Sequence, residues 1–318
     1  MKTLINFLLF LSIFSMVSCD DILEEDISND TVQIISPQNN QEIVSNVVNF
    51  QWSELDGADQ YRVQVYSVGA SLIVDSLVTQ RNLSYPLEQG AYQWRVRGEN
   101  SAYQSNYTFN YNFSVIETDD LTNQQVILLN PSDNLYTNSS SIILNWQNVN
   151  VADTYTFELI NVTNGESIVS QQTDLTATSL TLPNTLLTSD AEYRWKVKAV
   201  NSTSQSAFSS RKFLVDRTIP NVPINQNPTN NSTQVVNQPI TFTWTIPADV
   251  GTIQSTISYT IEFSNDITFA SILQTATTNS LSFQQTFTTA GEYYWRVKAK
   301  DTAGNTGATS SPFKFTIN

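Results

Sequence analysis

The chain reads as an all-β protein of three tandem antiparallel sandwiches, and three observations point there. The six-residue phrase Tyr-x-Trp-basic-Val-basic occurs at 92–97, 193–198 and 293–298, its tyrosines 101 and 100 residues apart. Within each phrase apolar and polar residues alternate, the period-2 signature of a half-buried strand. Aromatic and β-branched residues are abundant, helix formers are few, and no segment carries a helical period.

A length of 318 residues is too long for one small core and suits two or three domains. A hydrophobic content of 40% with 14% charged residues indicates a folded chain. The net charge of −14 argues against nucleic acid, since without a basic patch nothing could offset phosphate repulsion. There is no histidine, which removes the commonest general base and transition-metal ligand. Cys19 is the sole cysteine, so disulfides within the chain and cysteine-based zinc sites are excluded. The cores alone must hold the fold.

Residues 1–18 read as a signal peptide: Lys2 supplies the positive start, and an apolar run follows from Leu4 to Val17. The run is shorter than the roughly 20 residues a transmembrane helix needs, and acids follow it. It ends in Met16-Val17-Ser18-Cys19, which resembles the lipobox of bacterial lipoproteins. That likeness implies cleavage before Cys19 and lipidation of that cysteine. An ordinary secretory signal with an incidental cysteine is the alternative. Asp20, Asp21, Glu24, Glu25 and Asp26 come next and look like the surface-export signals of Bacteroidota lipoproteins. Residues 19–31 are expected to be a solvated, self-repelling acidic tether. Together these features predict a surface-exposed protein of the cell outer membrane, anchored by lipid on Cys19.

The remainder divides into units at 32–116, 124–216 and 221–318. Each opens with a short apolar strand ending at Pro37, Pro131 or Pro228, where the missing donor suits an edge. An apolar-x-Trp strand follows (Phe50/Trp52, Leu144/Trp146, Phe242/Trp244), then a strand beginning at Tyr61, Tyr155 or Tyr259. The loop before Tyr259 is six residues longer than its counterparts. A short strand at 83–85, 180–182 and 281–283 precedes the Tyr-x-Trp phrase. A last strand closes each unit at 113–115, 213–215 and 313–317. About seven strands per hundred residues make a sandwich the natural solution. The linkers are 117–125 and 216–222, the second stiffened by Pro220 and Pro223.

Trp52, Trp94, Trp146, Trp195, Trp244 and Trp295 are all spent in this pattern, two per unit. Burying a pair contributes on the order of 8–12 kcal/mol before entropy costs. They are therefore expected in the cores rather than as sugar platforms.

The early Trp, the Tyr of the next strand, Leu187 or Phe287 six residues before a Tyr, and Tyr-x-x-x-Val-x-Ala together resemble fibronectin type III domains. The likeness implies three such sandwiches in which Tyr92, Tyr193 and Tyr293 form tyrosine corners. Trp94, Trp195 and Trp295 stand where that family carries a smaller apolar residue, and Gly98 replaces the alanine. A more general immunoglobulin-like sandwich is the fallback.

Eight of the fifteen basic residues (Arg95, Arg97, Arg194, Lys196, Lys198, Arg296, Lys298, Lys300) lie on these strands as an outward stripe. It reads either as a face for acidic polysaccharide or, more simply, as charge balanced by neighbours such as Glu158 and Glu262. Alternation from Tyr107 through Phe109 and Tyr111 to Phe113 predicts four aromatics on one inward face. Tyr103, in the loop before, is a candidate ligand contact. Asp30-Thr31-Val32, Asp75-Ser76-Leu77 and Asp301-Thr302-Ala303 resemble the Bacteroidota O-glycosylation motif, making Thr31, Ser76 and Thr302 candidates. Asp301 to Asn305 could offer oxygens to calcium, though a strand-end turn explains it better.

No triad, phosphate loop or ligand cluster is present, so no enzyme, cofactor or metal is expected. The expectation is a non-catalytic envelope lipoprotein whose domains form a rod for adhesion, scaffolding or binding of a protein partner. Glycan capture for a polysaccharide-uptake system is the alternative.

Overall fold

The computed structural model describes residues 24–246 and 251–318. The signal segment expected at 1–18 and the acylation site Cys19 lie outside them. The described residues divide into two compact units, 24–43 with 48–116 and 44–47 with those from 117 to 318. The first holds one sandwich and the second holds two.

The first sandwich comprises β1 (Ile34–Ser36), β2 (Gln41–Ile43), β3 (Val47–Trp52), β4 (Gln60–Ser67), β5 (Leu72–Val78), β6 (Asn82–Pro86), β7 (Gly90–Glu99) and β8 (Tyr111–Val115). The second comprises β9 (Leu128–Asn130), β10 (Leu135–Thr137), β11 (Ile142–Trp146), β12 (Thr154–Asn161), β13 (Ser167–Leu175), β14 (Ser179–Leu182), β15 (Ala191–Val200) and β16 (Ser209–Val215). The third comprises β17 (Ile224–Asn227), β18 (Ser232–Gln234), β19 (Pro239–Thr245), β20 (Ile257–Ser264), β21 (Gln274–Thr278), β22 (Ser282–Thr286), β23 (Gly291–Asp301) and β24 (Phe313–Ile317). In each, a three-stranded sheet (β1-β3-β6 and its counterparts) faces a five-stranded one (β2-β8-β7-β4-β5 and its counterparts). All-β architecture in three sandwiches is thus what the sequence predicts. Eight strands form in each sandwich, two more than the six whose positions the sequence marked.

One extra strand arises because the opening strand is split between the sheets. Proline ends its first half, and the chain then turns through Asn40, Asn134 or Asn231 at φ near +60°, which asparagine tolerates. Each of these residues donates its N–H to the last strand (Asn40 to Asn112 O at 2.7 Å), which starts a parallel pairing such as Gln41 with Phe113. The other addition is the edge strand β5, β13 or β21, beside the strand that carries Tyr61, Tyr155 or Tyr259.

The Tyr-x-Trp phrase lies on the central strands β7, β15 and β23, between the neighbouring tyrosine strand and the last strand. Its Trp faces Val65, Leu159 or Phe263, and its Val faces Val63, Phe157 or Ile261. All six tryptophans are fully buried. Trp94 Nε1 donates to Pro37 O at 3.1 Å, whereas the other five indole N–H groups have no acceptor. An unpaired donor costs about 1–3 kcal/mol, while burying one indole contributes roughly 4–6 kcal/mol. Packing wins.

Gly98 has a local cause: a Cβ there would lie 2.8 Å from both Ala58 Cβ and Leu55 Cδ2. The second and third sandwiches are joined through 216–222. Asn305 Nδ2 donates to Asp216 O at 2.8 Å, Asn138 Nδ2 donates to Asn305 Oδ1 at 3.1 Å, and Asn138 N donates to Ala303 O. A Cβ on Gly307 would sit 2.6 Å from Pro220 O, so glycine lets the linker lie against β23. Arg217 pairs with Asp190 at 3.1 Å.

Two outcomes follow from these contacts. Gly98→Ala should lower the stability of the first sandwich by about 1–3 kcal/mol through overpacking, read from urea denaturation. Burial, reinforced by the Asp301 and Asp190 carboxylates, pushes the 2%-exposed Asp216 carboxyl above its ordinary range. Its contribution to stability is therefore greatest at low pH and is lost as pH rises through the raised value. Asp216→Asn should keep or raise Tm at pH 7, with the difference from wild type disappearing below about pH 4.

Candidate interaction surfaces

Alternation along β7, β15 and β23 sends the basic residues of the phrase to the outer face of each large sheet. Three kinds of contact meet them there. Lys196 Nζ reaches Glu158 at 2.6 Å, and Glu262 takes both Arg296 Nε at 2.7 Å and Lys298 Nζ at 3.0 Å. In the first sandwich the facing residue is Gln64, which accepts from Arg95, while Arg62 and Arg97 share Glu99 at 2.8 Å each. Arg194 pairs with Glu166 at 3.0 Å, and Lys198 donates to Gln205. Aromatic rings then cover the cations: Tyr107 lies 4.1 Å from Arg95 and 4.6 Å from Arg97, Phe208 lies 4.5 Å from Lys196, and Phe269 lies 4.1 Å from Arg296. The stripe is thus largely engaged within the chain.

Burial alone would push the Glu262 carboxyl up, but hydrogen bonds from Arg296 and Lys298 outweigh it and hold the group below its ordinary range. Glu99 behaves in the same way between Arg62 and Arg97.

The three phrase tyrosines hold the corner before their own strands. Tyr92 Oη donates to Glu88 O at 2.7 Å, Tyr193 Oη to Ser189 O at 3.1 Å and Tyr293 Oη to Thr289 O at 3.0 Å. Each ring stacks on the phenylalanine of the last strand, at 5.5–5.6 Å for Phe113, Phe213 and Phe315. A second set has a role that the sequence did not disclose. Tyr61 Oη accepts from Leu55 N at 3.0 Å, and Tyr155 Oη accepts from Val149 N at 2.8 Å. With Tyr259 these rings lie 5.6 Å from Trp52, Trp146 and Trp244. Their constant place after the Trp was the available signal.

The expectation of four inward aromatics between 107 and 113 is corrected. Pairing of β8 begins only at Tyr111, and Thr108 takes the inward position, its Oγ1 accepting from Val96 N at 3.2 Å. That shift sends Tyr107 over the arginines and leaves Phe109 90% exposed. Tyr103 is 36% exposed in the turn after β7, its N–H donating to Asn100 Oδ1. Thr31 and Thr302 are exposed, whereas Ser76 is half-buried on β5 opposite Val63.

A depression of about 540 Å³ lies where β5 turns into β6, lined by Leu77, Val78, Thr79, Gln80, Asn82, Leu83 and Ser84 without an ionisable side chain. Among the described residues no three His, Cys, Asp or Glu side chains gather as metal ligands, and no helix is long and apolar enough to cross a membrane. Asp301 Oδ1 accepts from Gly304 N and Asn305 N at 2.8 Å, which accounts for the 301–305 turn.

The strand order, cross-sheet core and tyrosine corners define tandem fibronectin type III-like sandwiches. No protein-family model matches the chain, and no curated protein matches it significantly. Among solved structures it is similar to the FN1-FN3 domains of chicken CNTN1, with 14% identity, 90% of this chain and 97% of that chain covered, and a TM-score of 0.45. Fibronectin(III)-like modules of Clostridium thermocellum CbhA align at 15% identity over 61% of this chain and 93% of theirs, with a TM-score of 0.37. A two-domain fibronectin type III segment of chicken tenascin aligns at 14% identity over 58% and 97%, with a TM-score of 0.23.

Glu262→Gln should cost about 1–3 kcal/mol by leaving Arg296 and Lys298 without their shared partner. Because the Glu262 pKa is depressed, this contribution is present above the ordinary glutamate value and is lost as pH falls below it. The wild-type and variant denaturation curves should converge on acidification.

Proposed function

We propose that the chain is a non-catalytic interaction protein of the bacterial cell envelope, anchored by lipid on Cys19 and displayed at the outer-membrane surface. The anchor is supported by the position of the sole cysteine at the end of the apolar run, with acids directly after it. The interaction role is supported by how the outer faces are used. Most of their charges are engaged within the chain, and the 540 Å³ depression is lined by no ionisable side chain. Phe109 is the observation that carries the reading. It is a large ring almost wholly in water, beside a sheet whose other aromatics are packed. Exposed aromatic anchors of this kind supply hot-spot energy when a partner covers them.

Glycan capture is the second reading, since the same ring can stack on a sugar. Phe109→Ala should leave the free energy of unfolding within about 0.5 kcal/mol of wild type and sharply reduce recovery of surface partners in a cross-linked pull-down from intact cells. Undiminished recovery would remove Phe109 from the interface. Binding of the full chain to a glycan panel, lost in Phe109→Ala, would select the glycan reading.

A further inference from the structure

The acidic segment before the first sandwich is expected from sequence to be a solvated spacer, but residues 24–31 lie against the domain. Ile27 is fully buried, and Asp30 O accepts from Asn106 N at 3.1 Å. At the turn after β7, Asn100 Nδ2 donates to both Glu25 O at 2.9 Å and Gly57 O at 2.8 Å, and Ser101 Oγ donates to Glu24 Oε1 at 2.7 Å. Gly57 is shaped for this approach, since a Cβ there would lie 2.8 Å from Glu25 Cβ and 3.0 Å from Ile27 Cγ2.

The second sandwich repeats the arrangement. Asn201 Nδ2 donates to Asp119 O at 2.8 Å and Val151 O at 3.1 Å, Leu121 is fully buried, and its N–H donates to Ser204 Oγ. The repetition makes the clasp part of the unit, so the domain begins at its entering segment.

We infer that the first sandwich is held at the lipid surface with its Asn100–Tyr103 turn toward the membrane, rather than displaced on a free spacer. This rests on the Cys19 anchor proposed above. Only residues 20–23 separate Cys19 from Glu24. Five Cα steps span at most about 18 Å, and the acyl groups fix Cys19 at the polar layer of the bilayer. Tyr103, on the same turn, then faces the headgroup layer, where an amphipathic ring is well placed. The turn at Val68–Ala70 lies at the opposite end of the sandwich, because Ser67 pairs with Tyr92 while Gln60 pairs with Glu99.

Cys19 is the sole cysteine, and once acylated it leaves no native thiol for labelling. The full-length lipidated chain would carry Ala102→Cys or Val68→Cys, labelled with a donor dye and placed in phosphatidylcholine vesicles containing a headgroup-labelled acceptor lipid. Transfer from position 102 should exceed that from position 68 by about two-fold or more, given an offset of about 23 Å along β7. Inserting twelve Gly/Ser residues between Asp20 and Asp21 should reduce transfer at position 102. Ile27→Asp should do the same while tryptophan emission stays native. Equal transfer from the two positions, or no loss on insertion, overturns the surface placement with the anchor intact. Dye uptake by Cys19 in the membrane-purified parent chain overturns the anchor itself, and the placement with it.

Discussion

The two tryptophans in each sandwich set the conditions that the rest of the chain must meet. They come from opposite sheets, Trp52 from the small one and Trp94 from the large one, and their rings lie 6.5 Å apart between the layers. Filling a two-layer core with indoles leaves few places for their N–H groups, and five of the six go unpaired. The core tolerates this because the apolar area removed from water outweighs an unmade hydrogen bond. Around that pair, Tyr61, Tyr155 and Tyr259 pack against the first indole, and Tyr61 and Tyr155 also accept from a loop amide. Tyr92 and its counterparts stack on the last strand while bonding the preceding corner. One strand phrase therefore fixes sheet spacing and loop geometry together, without disulfides.

That phrase also places cations on the outer face, and whether they are free decides whether the face can bind. Alternating side chains put Glu158 and Glu262 directly opposite Lys196 and Arg296. The first sandwich reaches the same balance differently. Arg62 and Arg97 face each other across β4 and β7, a repulsive pair unless shared by an acid. Glu99, nearly buried at the strand end, supplies it. Rings from three separate positions then cover the cations. Such a face has little free charge with which to recognise an acidic polymer.

What the sequence disclosed followed from periodicity. Strands carrying Trp, Tyr or the central phrase were legible because alternation over five or more residues is hard to satisfy otherwise. The three-residue strands β2, β10 and β18 were not, since Gln41-Glu42-Ile43 offers one apolar side chain and owes its pairing to the turn before it. The edge strand β13 reads as polar and owes its place to β12. Phe109 was misassigned because alternation was extended through residues that form no ladder, while Thr108 held the inward position. The clasp was invisible for a related reason. Asn100 and Asn201 look like ordinary turn residues, and only their distant partners reveal what they hold.

The clasp changes what the joints are. A polar linker between sandwiches is by composition a flexible coil, but here side-chain amides bind the backbone of the chain entering each unit: Glu25 by Asn100, Asp119 by Asn201 and Asp216 by Asn305. Asparagine suits the task, since its Nδ2 donates to two carbonyls while its Oδ1 closes its own turn through the N–H groups of the next residues. Glycine at positions 57 and 307 removes the Cβ atoms that would hold the entering chain off the sheet. The third unit splits the work, with Asp301 closing the turn and Asn305 holding the linker, and Asn138 of the preceding sandwich bonds that same amide. The ordering entropy of each entering segment is thus offset within its own domain. Length in the sequence therefore does not convert into reach, and the working spacer of such a chain is only what lies outside its clasps.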